Sequence, residues 1–507
     1  MRIPATSDLW IEKYDGAVIT VKESGMVNGI AQIDSDNLYL TQRPSIDVFD
    51  SASAAGLEAR GRGIFYWESD ATLWILVDGT LYKNSLSNSL STSPSAGYKP
   101  CTFLTVAGIL ILLDAENDEG WSITTGDVVA ALDDSGNFPP KQNPVVPLAY
   151  GGASMDQYLF VLGTNGTIYN SALADPDTWP PLGFKNAEES PDNGVYLGKH
   201  HKNIVAFGTS SIEFFYNAGN ATGSPLNRRQ DLSYGIGCSS GESVYEDSDR
   251  MFWIGNDDRG ALGVWTMENF AIGKISTPTI DSFITQSIVK EGFSAFGAGL
   301  SSMGRMFYIL TLYRVSTDIV PVTTLVWDDT AKLWGEWDTS INGNTEFALI
   351  GGTNRLGTSE RYFEGQLASG DAISINDNLI PQDSLLGSQW VVDDWVETGW
   401  VLKTEDSGVG YMVKSRLGMK DFDTNKYKYP DEMRHVADTT DASQTLTIRW
   451  SDENNSNFST GRDVDMSIYQ KLFQLGRFRR RNHELEATST EQIRIDGLEI
   501  EMGGGDY

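Results

Sequence analysis

Side chains that could carry catalytic or metal chemistry are sparse in this sequence of 507 residues. It holds 4 histidines and 2 cysteines. The patterns of zinc proteases, Cys-x-x-Cys sites and phosphate-binding loops are missing from it. We therefore expect no catalytic residue, no cofactor and no metal site, and we predict that the protein is not an enzyme.

Two of the histidines, His200 and His201, are adjacent and lie between the apolar residues Leu197 and Ile204. A metal site needs further imidazole, thiolate or carboxylate ligands, and no local spacing supplies them. We expect a solvated turn with no functional role.

Adjacent acidic pairs are the other candidates for chemistry, since a glycosidase needs two carboxylates about 5 to 10 Å apart that face one pocket. Neighbouring residues on a strand point to opposite faces. In loops, aspartates mostly bond the backbone and form turns. An adventitious Ca²⁺ site formed by Asp247, Asp249 and Asp257-Asp258 stays open. We favour the turn role for the four pairs, which are Asp133-Asp134, Asp257-Asp258, Asp328-Asp329 and Asp393-Asp394.

One short segment is strongly cationic, with five positive residues and no acid between residues 471 and 481: Lys471, Arg477, Arg479, Arg480 and Arg481. Two interpretations stay open. The cations meet an acidic partner surface or nucleic-acid phosphates, or they pair with the chain's own surplus carboxylates. We predict that they are a candidate subunit or partner interface.

The chain as a whole is acidic, because 69 Asp and Glu residues outnumber 38 Lys and Arg residues and give a net charge of −31. Affinity for nucleic acid without sequence preference comes from clustered cations, so this composition excludes a general nucleic-acid binder. Cys101 and Cys238 are far apart, which supports neither a disulfide framework nor a zinc site.

No segment of the sequence predicts membrane insertion or export. The longest apolar run, residues 103–113, is shorter than the about 20 residues of a membrane-spanning helix and is typical of a buried strand pair. The first residues lack the apolar stretch of a secretory signal. We expect no membrane span and no secretion by the general route.

Short apolar runs closed by turn residues repeat along the chain. Three of them predict hairpins, formed by residues 73–77 with 80–82, 158–162 with 167–169, and 204–207 with 212–215. Units begin near residues 109, 158, 204, 251 and 306, which are 49, 46, 47 and 55 residues apart. This period is typical of propeller blades. We therefore predict an all-β fold that consists of an irregular, propeller-like array of antiparallel blades.

The pattern changes near residue 370. Polar residues follow, and residues 445–450 and 492–500 then alternate between apolar and polar, as half-buried antiparallel strands do. We predict a C-terminal β-sandwich-like region. The expected organisation is an N-terminal segment, 1–60, that closes or docks onto the propeller, the propeller at 61–370 and the C-terminal β domain at 371–507. Residues 306–310 are expected to pair with 324–327 after a long loop.

Several strings, taken in order, resemble one protein family. No single string is specific, and the resemblance rests on their order: Tyr39-Leu40-Thr41-Gln42-Arg43-Pro44-Ser45, Gly61-Arg62-Gly63-Ile64-Phe65-Tyr66-Trp67, Tyr234-Gly235-Ile236-Gly237-Cys238, Phe252-Trp253-Ile254-Gly255, Lys274-Ile275-Ser276-Thr277, Trp450-Ser451-Asp452 and Gln474-Leu475-Gly476-Arg477. Together they are similar to the packaged-DNA-stabilisation, or tail-nozzle, proteins of short-tailed bacteriophages.

The resemblance implies a structural virion protein in the phage tail, assembled in the host cytoplasm. It implies a homo-hexameric ring below the portal and the head-tail adaptor. That ring encloses the DNA exit channel and supports tail fibre, tailspike or needle proteins. Genomic DNA passes through without sequence-specific binding. The acidic composition agrees with this role, because an acidic lining offers DNA no adhesive sites.

A rival interpretation is a propeller-type carbohydrate-binding or glycoside-cleaving phage protein. Its aromatic loops, at Trp179 or at Trp334 and Trp337, would stack on sugars while acidic residues perform the hydrolysis. Large aromatic side chains are mostly buried, so we favour the structural role.

Charge reversal in the cationic segment tests the interface prediction. Replacing Arg479 and Arg481 with Glu is expected to weaken ring assembly or virion incorporation while the circular dichroism of the fold stays unchanged. Clustered arginines repel one another and need nearby carboxylates. Assembly that survives the double reversal at moderate salt would contradict the interface.

Overall fold

Strands dominate the computed structural model, and one short α-helix occurs in the part of the chain that it describes. The described residues are 2–6, 25–34, 37–43, 47–51, 61–77, 79–84, 88–90, 94–97, 99–132, 136–187, 192–247, 249–256, 262–302, 305–315, 319–338, 347–354, 361–367, 372–376, 379–381, 400–402, 405–406, 409–420, 427–439, 444–453, 457–489 and 493–502.

Five strands form within the first 51 residues. They are β1 (Arg2–Pro4), β2 (Gly25–Val27), β3 (Gly29–Asp34), β4 (Asn37–Gln42) and β5 (Asp47–Ser51). They separate into two groups, because β5 joins a blade of the propeller and β1 to β4 join the sandwich.

The first three blades follow. Blade one contains β6 (Gly61–Trp67), β7 (Thr72–Val77) and β8 (Thr80–Lys83). Blade two contains β9 (Thr102–Val106), β10 (Ile109–Asp114), β11 (Glu119–Ile123) and β12 (Val129–Ala131). After β13 (Tyr150–Gly151), blade three contains β14 (Ala153–Met155), β15 (Tyr158–Leu162), β16 (Thr167–Asn170) and β17 (Phe184–Asn186).

Blades four and five continue the antiparallel pattern. Blade four contains β18 (Gly194–His200), β19 (Asn203–Gly208), β20 (Ile212–Asn217) and β21 (Leu226–Tyr234), with β13 added in parallel to β18. Blade five contains β22 (Gly237–Cys238), β23 (Tyr245–Glu246), β24 (Arg250–Asn256), β25 (Leu262–Glu268) and β26 (Ala271–Lys274), and the helix α1 (Pro278–Thr285) follows it.

Two more blades complete the array. Blade six contains β27 (Ser294–Ser302), β28 (Arg305–Val315), β29 (Ile319–Asp328) and β30 (Leu333–Glu336). Blade seven contains β31 (Phe347–Asn354), β32 (Arg361–Leu367) and β33 (Ala372–Asn376). β5 pairs antiparallel with β33, and β31 and β32 contact β6. The last blade therefore takes a strand from the N-terminal segment and meets the first blade, which closes the ring.

Alternating side chains of one strand fill the spaces on both sides of its blade. In β10, Leu110 and Leu112 pack toward blade one, whereas Ile111 and Leu113 pack toward blade three. Successive strand residues point to opposite faces, so a strand with neighbours on both sides needs apolar residues at every position. This explains the unbroken apolar runs that the sequence repeats.

A β-sandwich completes the molecule. The remaining strands are β34 (Leu379–Pro381), β35 (Trp400–Leu402), β36 (Glu405–Asp406), β37 (Val409–Lys420), β38 (Pro430–Thr439), β39 (Thr445–Ser451), β40 (Arg462–Asp465), β41 (Lys471–Leu472), β42 (Arg481–Ser489) and β43 (Ile493–Met502). One sandwich sheet has the order β2-β37-β42-β39-β40, and the other has the order β3-β4-β43-β38-β41 with β1 on β43. One apolar cluster, which includes Met26, Leu40, Leu485 and Leu498, fills the space between them.

The sandwich and the propeller share one sheet. β2 pairs in parallel with β30 of blade six and antiparallel with β37 of the sandwich. The sheet therefore runs without interruption from β27 to β40. The boundaries at residues 60 and 370 stay predictions, and the sandwich draws its strands from both ends of the chain.

A buried polar junction lies where β2 meets blade six. Asn28, at a left-handed φ of 55°, accepts hydrogen bonds through its side-chain oxygen from Asp338 N at 2.8 Å and Arg43 Nε at 3.0 Å. Its side-chain amide donates to Met412 O of β37 at 2.9 Å. The Arg43 guanidinium also donates to Asp338 O at 3.2 Å. One asparagine thus binds the N-terminal segment, the propeller and the sandwich to one another.

The three predicted hairpins are confirmed as β7 with β8, β15 with β16, and β19 with β20. The two predicted alternating strands near the C-terminus are confirmed as β39 and β43. The prediction of a long loop after residue 310 is wrong. β28 and β29 extend through most of it, with a register shift between Leu312 and Tyr313, because the segment carries apolar residues that can continue the ladder. No helix among the described residues is long and apolar enough to cross a membrane.

Removing the Asn28 side chain is expected to destabilise the protein. Asn28→Ala removes the hydrogen bonds with Asp338 N, Arg43 Nε and Met412 O. It also replaces asparagine, which tolerates a left-handed φ, with alanine, which adopts it less readily, at a total cost of about 3 kcal/mol or more. Asn88→Ala is the control, because Asn88 is exposed and its side chain donates one hydrogen bond to Lys83 O. The midpoint of urea unfolding measures both, and equal midpoints would contradict the role of Asn28.

Candidate functional site

The cationic segment lies along one edge of the sandwich. β41 pairs with β38 through Met433 and Leu472, and Lys428 forms a backbone bridge with Phe478. The chain before β38 and the chain after β41 therefore run side by side in opposite directions. This pairing places the predicted cations next to the residues that precede β38.

Two members of the predicted cluster are bound within the subunit. Arg481 is buried, and its guanidinium forms a bidentate pair with Asp452 at 2.6 and 2.9 Å. It also donates to Leu475 O at 2.7 Å. Lys471 pairs with Glu432 at 2.7 Å. Lys471 and Arg481 thus pair with carboxylates of their own chain, which is one of the two interpretations that the sequence left open. Arg481 lies inside the subunit rather than on its surface.

The other three members are exposed. The guanidinium groups of Arg477 and Arg479 lie over the Tyr427 ring, at 5.0 and 4.6 Å from its centroid. Arg480 is exposed beside them. Among the described residues, none of these three arginines forms a salt bridge with a carboxylate. Three positive charges are thus exposed without a carboxylate partner in the described part of the chain.

Exposed apolar side chains concentrate at the same edge. Of the 13 large apolar residues that are exposed in the described part of the chain, five lie in these two adjoining segments: Tyr427, Tyr429, Ile468, Tyr469 and Phe473. We use the name arginine platform for a set that combines aromatic and cationic side chains: Tyr427, Tyr429, Phe473, Arg477, Arg479 and Arg480. Sequence reasoning found the arginines and missed the tyrosines, although they stand close together, with one residue between them.

The axis of the propeller is the other place where many blades converge. It encloses a cavity of about 180 Å³, whose lining includes Phe65, Phe103, Tyr196 and Phe296 from four different blades. No nucleic-acid duplex fits there, since the DNA major groove alone is about 12 Å wide.

A buried carboxylate, that of Glu242, binds several side chains at the axis of the propeller. Glu242 accepts hydrogen bonds from the hydroxyl of Tyr150 at 2.7 Å and from that of Tyr313, and Lys99 Nζ lies 3.0 Å from its carboxylate. Burial, followed by the charge of Glu242, raises the pKa of Tyr150. The phenols therefore stay protonated donors to the carboxylate, and Tyr150 and Glu242 line the cavity.

The aromatic loops of the rival interpretation are buried. Trp179 packs on Phe138 with ring centroids 5.0 Å apart, and Trp334 packs on Trp327 at 5.4 Å. Trp337 is also buried. None of the three tryptophans offers a face for sugar stacking.

The acidic pair Asp328-Asp329 forms a turn and ion pairs. Asp328 accepts from the backbone of Thr330 and Ala331 and from Arg305, and Asp329 pairs with Arg250 and Lys332. The pairs at 133–134, 257–258 and 393–394 lie outside the described residues. In the described part of the chain, no group of three or more His, Cys, Asp and Glu side chains is placed to hold a metal ion.

The expectation of a solvated turn is wrong for His200. His200 ends β18 and is buried against the ring of Phe270, with centroids 5.0 Å apart, while His201 occupies the turn at a φ of 53°. Burial lowers the pKa of His200 to about 4. Its position at the end of a strand turns the imidazole inward, which the apolar neighbours in sequence did not reveal.

A family model described as bacteriophage P22 Gp10, beta-propeller, matches residues 20–353. The chain belongs to this family. It is a structural protein of a bacteriophage, and the match agrees with the resemblance found in the sequence. A search of curated proteins found no match.

Among solved structures, three similar ones are an N-terminal domain of Nup159, the computationally designed Ika8 protein and BamB from Moraxella catarrhalis. Their sequence identities are 8%, 10% and 9%, and their TM-scores are 0.37, 0.36 and 0.35. They cover 69%, 63% and 69% of this chain and 98%, 97% and 94% of their own.

Adjacent arginines are expected to respond differently to truncation. Arg481→Ala removes the bidentate pair with Asp452 and the bond to Leu475 O, at a cost of about 2 kcal/mol in the free energy of unfolding. Arg480→Ala removes an exposed side chain and should change it by less than about 0.5 kcal/mol. Urea unfolding of both variants measures the difference, and a neutral Arg481→Ala would contradict the buried role.

His483 is expected to make the fold sensitive to acid. It is buried between Leu417 and Trp450 of the neighbouring strands. Burial, and then the charge of Arg481, lowers its pKa to about 3. The unfolded chain takes up this proton below about pH 6.5, so stability is complete above that pH and falls as the pH drops toward 3.

Replacing this imidazole should reduce the pH dependence. His483→Phe is expected to lower the slope of unfolding free energy against pH by up to about 1.4 kcal/mol per unit between pH 6.5 and 3. A comparison of the unfolding free energies of the variant and the wild type at pH 8 measures the part of the change in stability that does not depend on pH. Unchanged slopes would show that His483 does not titrate between the two states.

Proposed function

We propose that this protein forms the tail nozzle of a short-tailed bacteriophage, as a six-fold ring below the portal and its adaptor. The ring encloses the channel through which the genome leaves. The observation that carries the proposal is the family match over residues 20–353, which names a phage β-propeller.

The narrow propeller axis supports one feature of this ring. The blades converge on a cavity of about 180 Å³ that Tyr150 and Glu242 line, which is too small for a duplex, so DNA does not pass through a single subunit. The channel is instead the space between copies, and each propeller contributes only part of its wall.

The charge of the protein supports passage of DNA without retention. With a net charge of −31 per copy, a ring surrounds the duplex with negative potential. Phosphate binding requires cations that replace counterions, and such a wall offers few. The DNA therefore moves past the protein without sequence-specific contacts.

The other proposed partners are the head-tail adaptor and the tail fibre, tailspike or needle proteins. No catalysis is part of this role. Asp328 and Asp329 are held in ion pairs and a turn, and the tryptophans of the rival interpretation are buried.

Purified phage particles provide the test. We expect peptides of this protein in the particles by mass spectrometry, and electron microscopy of the particles should show a ring of propellers on the tail axis below the portal. Absence from the particles would contradict the proposal. A monomeric protein outside the particle that binds or cleaves polysaccharide would favour the rival interpretation.

A further inference from the structure

We infer that the arginine platform is one half of a head-to-tail contact between copies of this chain, and that it binds an exposed acidic surface of the second copy. The inference rests on the proposed ring and names the surface that joins its subunits. Three properties of the platform support it: its composition, its rigidity and its charge.

The composition is that of a binding surface. Protein interfaces are enriched in tyrosine, phenylalanine and arginine, and the residues that dominate binding energy are often tyrosine and arginine. Tyr427, Tyr429 and Phe473 are 45%, 48% and 54% exposed. Three of the 13 exposed large apolar side chains of the described chain thus lie beside three arginines that have no carboxylate partner in that part of the chain.

The platform is held in place before any partner binds. Lys428 is buried between the two tyrosines in sequence, and its Nζ donates to Arg479 O at 2.7 Å. The backbone groups of Lys428 and Phe478 bond each other in both directions. Since the aromatic ring of Tyr427 already lies under two guanidinium groups, binding would order few additional side chains, and the entropic cost of association is low.

The positive charge of the platform indicates which partner it binds. A copy of this chain has 69 acidic and 38 basic residues, so its surface is rich in carboxylates, which arginine forks bind in bidentate geometry. Two platforms cannot face each other, because six guanidinium groups would repel. The contact therefore joins two different surfaces, and contacts of this head-to-tail kind generate rings when the rotation closes.

Reversal of the platform charge, measured against a matched control, tests the inference. The platform variant is Arg477→Glu/Arg479→Glu/Arg480→Glu. The control variant is Lys141→Glu/Lys202→Glu/Lys290→Glu, which changes the net charge equally at exposed sites elsewhere. Arg481 stays unchanged, because it is buried and its loss would disturb the fold. For the same reason, the double reversal of Arg479 and Arg481 that the sequence suggested would not leave the fold unchanged. Circular dichroism and thermal unfolding check that both variants fold.

Sedimentation velocity of the purified full-length proteins measures association between copies. We expect the wild type to associate, the platform variant to associate at least about tenfold more weakly, and the control to remain within about threefold of wild type. Higher salt should weaken wild-type association, because exposed charges are screened. Tyr427→Ala, which keeps every charge, should also weaken it.

Other results would overturn the inference. Equal association of the platform variant and wild type would exclude the platform as the contact, and equal loss in both triple variants would assign the effect to net charge. A wild type that stays monomeric at every concentration would exclude a contact between copies. The particle experiment tests the nozzle role separately from all three results.

Nucleic acid is the other polyanion that this surface could meet. Electrophoretic mobility of a short DNA duplex with wild type and the platform variant distinguishes it. Binding that the reversal abolishes, with association between copies unchanged, would identify the platform as a DNA contact and overturn the inference. No binding by the wild type supports the protein partner.

Discussion

The buried hydrogen bonds of Asn28 determine how the two halves of this protein are joined. Its side chain bonds Asp338 after blade six, Met412 in the sandwich and the guanidinium of Arg43. A buried polar group that loses its partner costs more than the bond itself contributes. The three segments therefore keep one arrangement. β2 continues the sheet of blade six into the sandwich, so the propeller and the sandwich are also joined by backbone hydrogen bonds at this junction.

Stacking of sheets on both faces accounts for the composition of the propeller. β15 contributes Leu159 and Val161 to the cluster with blade two and Phe160 and Leu162 to the cluster with blade four. The same arrangement recurs in β24 of blade five. No blade can bury both faces alone, so the stability of each depends on its neighbours. The ring closes because β5 supplies the missing strand of the last blade.

Charge has two distinct roles. The surplus of acidic residues is spread over the chain, and in the proposed ring it would give a negative charge to the wall of the DNA channel. The cations at the sandwich edge are divided by the fold. Arg481 stabilises the turn that leads into β42 through Asp452 and Leu475 O, whereas Arg477 and Arg479 stack on Tyr427 and face outward. Cationic residues that are close together in sequence thus have different roles, since some stabilise the interior and others lie on the surface.

The sequence by itself determined the fold class, the hairpins and the repeat, because alternating or unbroken apolar runs and turn residues act over a few positions. It also located the cationic segment. Only the tertiary structure decided which arginines are buried, that His200 faces inward, and that β1 to β4 complete the sandwich with the C-terminal strands. These features depend on contacts between residues far apart in the chain, such as Asn28 with Met412 and Arg481 with Asp452. Local patterns carry no information about which distant strands pair or which side chains their pairing encloses.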